Sequence, residues 1–146
     1  MDWVFDDGGR AAAGFKGRTR DCVCRAIAIA TQRPYAEVYD ALNSACKIER
    51  PKSGRKPSSA RTGVAKATIR AYLAAQGWTW TPTMGVGTGC KVHLAASELP
   101  AGRLIVSCSR HLVAMIDGVI HDTEDPSRDG TRCVYGYWRQ SAKVTP

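Results

Sequence analysis

A thiol, an imidazole and a carboxylate occur along this chain in an order that nucleophilic catalysis can use: Cys22, His111 and Asp122. Cys22 follows Asp21, a residue type that caps helices well, and opens the apolar run Cys22 to Ala30. In the first turn of a helix the positive end of the backbone dipole favours thiolate over thiol, and a thiolate is the attacking species. Arg20 and Arg25 push in the same direction, and Asp21 pushes against it. Cys24 is turned by about 200° around the same helix and is the weaker nucleophile.

A thiolate nucleophile needs a base, and the base needs an orienting group. Both lie in the segment from His111 to Glu124, where Asp117-Gly118 separates two apolar runs and predicts a tight hairpin. With Asp117 and Gly118 as the turn, Ile116 faces Val119, Val113 faces Asp122 and His111 faces Glu124. Alternation then puts His111, Val113, Met115, Ile120, Asp122 and Glu124 on one face, with Leu112 and His121 on the other. Asp122 becomes the diagonal neighbour of His111, close enough to hold one tautomer of the ring. Glu124, directly opposite, is an alternate orienter. A slip of one residue in register would send Asp122 to the other face.

The elements that must position these groups are readable from periodicity. Two adjacent apolar stripes, Cys22/Ala26/Ile29 and Val23/Ile27/Ala30, predict a mostly buried helix from Asp21 to about Arg33. Pro34 suits the first position of a second helix, 34–46, with Tyr35, Val38, Leu42 and Cys46 inward. A loop over 47–62 precedes a third helix, 63–76, whose inward residues are Val64, Ile69, Tyr72 and Leu73, with Gly77 closing it. Strands are expected at Trp78–Thr81, Leu104–Val106, His111–Ile116, Val119–Thr123 and Cys133–Trp138. Trp78, Trp80 and Trp138 are expected in the core or the wall of a cleft. Residues 1–20, rich in Gly, Ala and Arg with Asp7-Gly8-Gly9 as a turn, read as an ordered or half-ordered lead-in. The expected class is α+β: a helical half over 21–76 packed on an antiparallel sheet over 78–140, in one domain spanning 1–146.

Composition narrows the function classes. The 146 residues are 44% hydrophobic and 23% charged, which fits a globular chain able to bury a core. There is no run of 18 apolar residues, and the acidic start lacks the apolar stretch of a secretory signal, so a cytoplasmic protein is expected, with no membrane contact. Six cysteines without a secretion signal are expected to be reduced. No Cys-x-x-Cys occurs and His93, His111 and His121 are scattered, so neither a metal site nor a cofactor is expected. The net charge of +8 is concentrated in 47–70, which holds eight basic residues and one acid, Glu49. Arg50, Lys52, Arg55, Lys56 and Arg61 are its candidate anion-binding residues, for an acidic protein or a nucleic acid. No aromatic residue interleaves this run, so a stacking platform for single strands is not expected.

The stretches Asp21-Cys22-Val23-Cys24-Arg25-Ala26-Ile27-Ala28-Ile29-Ala30-Thr31 and Ser109 to Thr123, containing His111 and Asp122, resemble small phage and prophage proteins of the papain-like cysteine peptidase type. The likeness runs from Asp6 to Trp138. It implies a helical half carrying the nucleophile Cys22 and a sheet half carrying the base His111 and its orienter Asp122, with a cleft between them. It implies hydrolysis of a protein or peptide substrate, of acidic character if the basic segment recruits it. Papain-like peptidases often place a Gln shortly before the cysteine as an oxyanion donor. Residues 16–21 here are Lys-Gly-Arg-Thr-Arg-Asp, with no Gln, so Thr19 and Arg20 join the Cys22 N–H as oxyanion candidates. The alternative is a catalytically silent scaffold of the same shape that binds or inhibits a host factor through its basic surface. A third reading is nucleic-acid binding through 47–70.

Overall fold

The computed structural model describes residues 2–49 and 57–141. Among these residues the class is α+β, with three α-helices and a six-stranded mixed sheet. The helices are α1 (Cys22–Thr31), α2 (Tyr35–Cys46) and α3 (Lys66–Ala75). The strands are β1 (Trp3–Phe5), β2 (Trp78–Pro82), β3 (Arg103–Cys108), β4 (His111–Ile116), β5 (Val119–Asp122) and β6 (Val134–Gln140). Their order across the sheet is β1-β5-β4-β3-β6-β2.

Two expectations about the sheet are corrected. It is mixed rather than antiparallel, because β1 pairs parallel with β5, setting Trp3 beside Ile120 and Phe5 beside Asp122. The lead-in therefore supplies an edge strand, so the sheet half does not begin at residue 78. A three-residue strand is too short to show alternation, and its side chains remain exposed, so no burial pattern announces it. The third helix begins at Lys66 rather than at residue 63. Pro34 precedes the second helix as its cap rather than sitting within it.

Alternation along β3 and β4 divides the core into two layers. Ile105, Leu112 and Ala114 face the helices and meet Val23, Ile27, Val38, Leu42, Ile69 and Leu73. Leu104, Val106, Val113, Met115 and Ile120 face the other way and are covered by Leu94 and Leu99. α1 is thus buried on both stripes, packed on β4 and β3 and against α2. Its far end is closed by Gln32 in the left-handed conformation and by the Arg103 guanidinium, which donates to the Ile29 carbonyl at 3.1 Å.

The β4–β5 hairpin has the register read from Asp117-Gly118. Both turn residues have positive φ, and Ile116 pairs with Val119, Met115 with Ile120 and Ala114 with His121. A second two-residue hairpin, Ser109-Arg110, joins β3 to β4 and pairs Cys108 with His111. Arg110 takes the left-handed conformation there, and His111 emerges directly from the turn.

The six cysteines are not all reduced. Cys90 and Cys133 form a disulfide that ties the loop after β2 to the start of β6, while Cys22, Cys24, Cys46 and Cys108 are free. The two partners are 43 residues apart in sequence, and only folding brings their Cα atoms to 5.8 Å.

Candidate active site

Cys22 is the first residue of α1, so its N–H has no intrahelical acceptor and its side chain faces the end of β4. The His111 ring and the backbone of Leu112 lie beside the thiol, near enough to act on its ionisation. On its other side the imidazole Nε2 is 2.7 Å from Asp122 Oδ2. The second oxygen of Asp122 accepts from the Thr123 N–H at 2.7 Å. The structure therefore brings together the three residues singled out in the sequence. Glu124, the alternate orienter, lies on an adjoining cavity wall and has no bond to His111 among the described residues.

The electrostatics follow from this chain of contacts. Burial of Cys22 favours the neutral thiol, yet the bonds from His111 and Leu112 and the charges of His111 and Arg25 together bring its pKa below the ordinary thiol value. Burial likewise lowers the basicity of His111, but Asp122 and Cys22 outweigh it and raise its pKa to about 9. Asp122 is raised by burial and pulled down further by His111, Thr123 and Arg25, so it remains a carboxylate. Both shifts act in favour of a thiolate–imidazolium pair backed by a carboxylate. Cys24 serves as the internal contrast. It is fully buried, its thiol points at the Tyr35 carbonyl, and burial pushes its pKa up to about 12.

Asp21 does not cap α1. Its side chain makes no cap hydrogen bond and is completely buried, receiving the Tyr35 hydroxyl at 2.6 Å and the Arg25 guanidinium. Arg25 spans two carboxylates: Nη1 meets Asp21 and Nη2 meets Asp122 Oδ1 at 3.1 Å. A capping geometry would point the carboxylate at the helix N–H groups. The Arg25 and Tyr35 donors offer it stronger, charge-assisted bonding. From the sequence Arg25 is read only as a charge acting on the Cys22 thiol, and its bridge between Asp21 and Asp122 is missed. The signal was present, since a charge inside so apolar a helix needs a buried partner.

The remaining candidates are placed as follows. The Thr19 hydroxyl donates to the Arg61 carbonyl at 3.0 Å, and the Arg20 N–H donates to the same carbonyl at 2.7 Å. Neither of these donors points free toward an oxyanion, while the Arg20 side chain lines the cavities on both sides of Cys22. Arg61 is exposed and its guanidinium donates to the Lys16 carbonyl at 3.1 Å, so it braces the lead-in. Arg50, Lys52, Arg55 and Lys56 lie outside the described residues.

Two cavities meet at the Cys22–His111 pair. One, of about 310 Å³, lies between α3 and the sheet and is walled by Val64, Ile69, Leu112, Trp80 and Trp138. The other, of about 620 Å³, lies toward β1 and the lead-in and is more polar, with Arg10, Arg25 and Glu124 among its walls. Trp78 is core, whereas Trp80 and Trp138 form the cleft wall, with ring centroids 4.3 Å apart. Gly136 makes this wall possible, since a Cβ there would collide with the Trp80 ring and lie 2.8 Å from the Thr81 carbonyl. Among the described residues no cluster of three His, Cys, Asp or Glu could hold a metal ion, and no helix is long and apolar enough to cross a membrane.

No protein-family model matches the chain, and neither the curated proteins nor the solved structures contain a significant match to it.

Proposed function

We propose that this chain is a papain-like thiol hydrolase that cleaves an amide or thioester in a protein or peptide. The observation that carries the reading is the alignment of Cys22, His111 and Asp122: Cys22 and His111 line the same two cavities, and Asp122 bonds the far side of the imidazole at 2.7 Å. The Cys22 sulfur attacks the carbonyl carbon, and the carbonyl π electrons move onto oxygen. The Cys22 N–H and the Arg20 side chain on the rim supply positive character to that oxygen. As the C–N or C–S bond breaks, the His111 imidazolium gives its proton to the leaving amine or thiolate. A water then attacks the thioester formed on Cys22, His111 takes its proton, and the sulfur leaves as thiolate to restore the pair. Asp122 holds the ring throughout and stabilises its charged form.

The test is alkylation by iodoacetamide from about pH 5 to 9, with the adduct mapped by mass spectrometry. Selective labelling of Cys22 with an apparent pKa well below ~8.5 supports the reading. Slow, indiscriminate labelling of every free thiol sinks it.

A second reading has one observation in its favour: the Thr19 hydroxyl and the Arg20 N–H are both engaged by Arg61. A site short of a second fixed oxyanion donor suits a catalytically silent scaffold that binds a host factor through its basic surface. Under that reading Cys22→Ala leaves the biological effect intact, whereas hydrolysis requires the sulfur.

A further inference from the structure

We infer that the cavity between α3 and the sheet selects an anionic peptide segment, with one apolar side chain against Trp80 and Trp138 and carboxylates on the flanking positions. This rests on the hydrolase reading and extends it to a substrate class.

The argument is one of charge and shape. Four cations line this cavity: Arg20, Lys66, Arg70 and Arg110. No Asp or Glu side chain lines it among the described residues, although the chain has 13 of them. The cavity beyond Cys22 differs, since Asp7, Asp21 and Glu124 balance its arginines. Arg20 and Arg110 line both cavities, but only on the α3 side is the positive charge without carboxylates beside it. Low-dielectric walls strengthen such a field, and this cavity has them in Val64, Ile69, Leu112 and the two tryptophans.

Position adds to charge. Lys66 and Arg70 are one turn apart on α3, so both project along the same wall. The Arg70 guanidinium carbon lies 5.8 Å from the centre of the Trp80 ring, which holds the cation over the apolar floor. Arg110 is fixed by the turn that delivers His111, and Arg20 is two residues before Cys22. The cations therefore surround the path leading to the reacting sulfur. A polynucleotide would also meet positive charge, but it carries no scissile amide or thioester carbonyl for the thiolate.

The experiment uses peptide chloromethyl ketones, which alkylate the Cys22 thiolate with loss of chloride. Acetyl-Glu-Glu-Phe-Gly, acetyl-Gln-Gln-Phe-Gly and acetyl-Lys-Lys-Phe-Gly chloromethyl ketones are compared at low salt on the full chain. The acidic probe is expected to label Cys22 about 10-fold or more faster than the lysine probe, with the difference shrinking as salt rises. In Lys66→Glu/Arg70→Glu the order is expected to reverse once each peptide-probe rate is divided by the iodoacetamide rate of the same protein, which removes any change in the ionisation of Cys22. Circular dichroism identifies a variant that has not folded, and in that case Lys66→Gln and Arg70→Gln, made singly, must each reduce the preference. Equal rates for the three probes overturn the inference, as does a preference that survives loss of both cations. Protection of Cys22 by oligothymidylate but not by a free Glu-rich peptide also overturns it, in favour of nucleic acid. Failure of the hydrolase reading would show separately, as an unreactive Cys22 toward iodoacetamide. Anisotropy of fluorescein-labelled acetyl-Glu-Glu-Phe-Gly then still tests the charge preference, and no binding above the lysine peptide rejects it.

Discussion

Arg25 Nη2 lies 3.1 Å from Asp122 Oδ1, across 97 residues of sequence. The residue one helical turn after the nucleophile thus grips the carboxylate that orients the base. The same guanidinium holds the buried Asp21. Helix start and orienter are tied together by a single side chain, so a small rotation of α1 against the β4–β5 hairpin would break the Arg25–Asp122 ion pair.

Arg25→Met is expected to destabilise the chain by about 3 kcal/mol, because it leaves Asp21 buried without its main counter-charge. A structural loss alone would leave the reactivity profile of the remaining folded protein unchanged. Loss of the Arg25 charge should instead move the acid limb of Cys22 alkylation to higher pH, since Arg25 helps keep that thiol ionised. Arg25→Lys should restore only part of either effect, because an ammonium cannot fork between two carboxylates. Denaturant melts and a pH series of iodoacetamide rates measure both.

The thiolate–imidazolium pair persists above the depressed pKa of Cys22 and is lost as pH rises through the His111 value of about 9. Asp122 raises the His111 value by bonding and by charge. In Asp122→Asn the alkaline limb of any hydrolytic activity should therefore move to lower pH, by about one unit or more. Turnover should fall by roughly 10²–10⁴, the range over which a correctly oriented base contributes. A titration of the His111 ring by NMR checks the shift independently of activity.

Thiol counting tests the cysteine assignment. Under non-reducing conditions the chain is expected to expose four thiols on unfolding, Cys22, Cys24, Cys46 and Cys108, and six after reduction. In the native state Cys22 should react first, since the other three are buried and burial raises their pKa values. Reduction of Cys90–Cys133 should lower stability by on the order of 2–4 kcal/mol. Six thiols titrating without reductant would refute the bridge.

Gly136→Ala places a methyl group against the Trp80 ring, which cannot retreat without leaving Trp138. It is expected to cost about 1–3 kcal/mol, as overpacking does. Tryptophan fluorescence should shift as Trp80 is expelled. Peptide-probe labelling at Cys22 should slow more than iodoacetamide labelling, because only the peptide needs that wall.

Much of the site follows from local sequence. The apolar run after Asp21 places Cys22 at the front of a buried helix, and Asp117-Gly118 sets the hairpin register. Once that register holds, His111 and Asp122 must share a face, because side chains alternate along a strand. These are consequences of short-range geometry, in which each residue's position depends on neighbours a few places away.

The rest needed the third dimension. The i,i+4 spacing of Asp21 and Arg25 is local, but that Asp21 abandons its cap also for the Tyr35 hydroxyl depends on how α2 lies against α1. The parallel pairing of β1 beside β5 joins segments more than a hundred residues apart, and three residues are too few to carry a periodic signal. The Cys90–Cys133 bond likewise depends on where a glycine-rich loop returns to the sheet. The basic stretch was visible in the sequence, yet only packing of α3 over the sheet turned Lys66 and Arg70 toward the nucleophile. Periodicity determines which face a residue occupies; the partner that face meets is decided by the docking of elements distant in sequence.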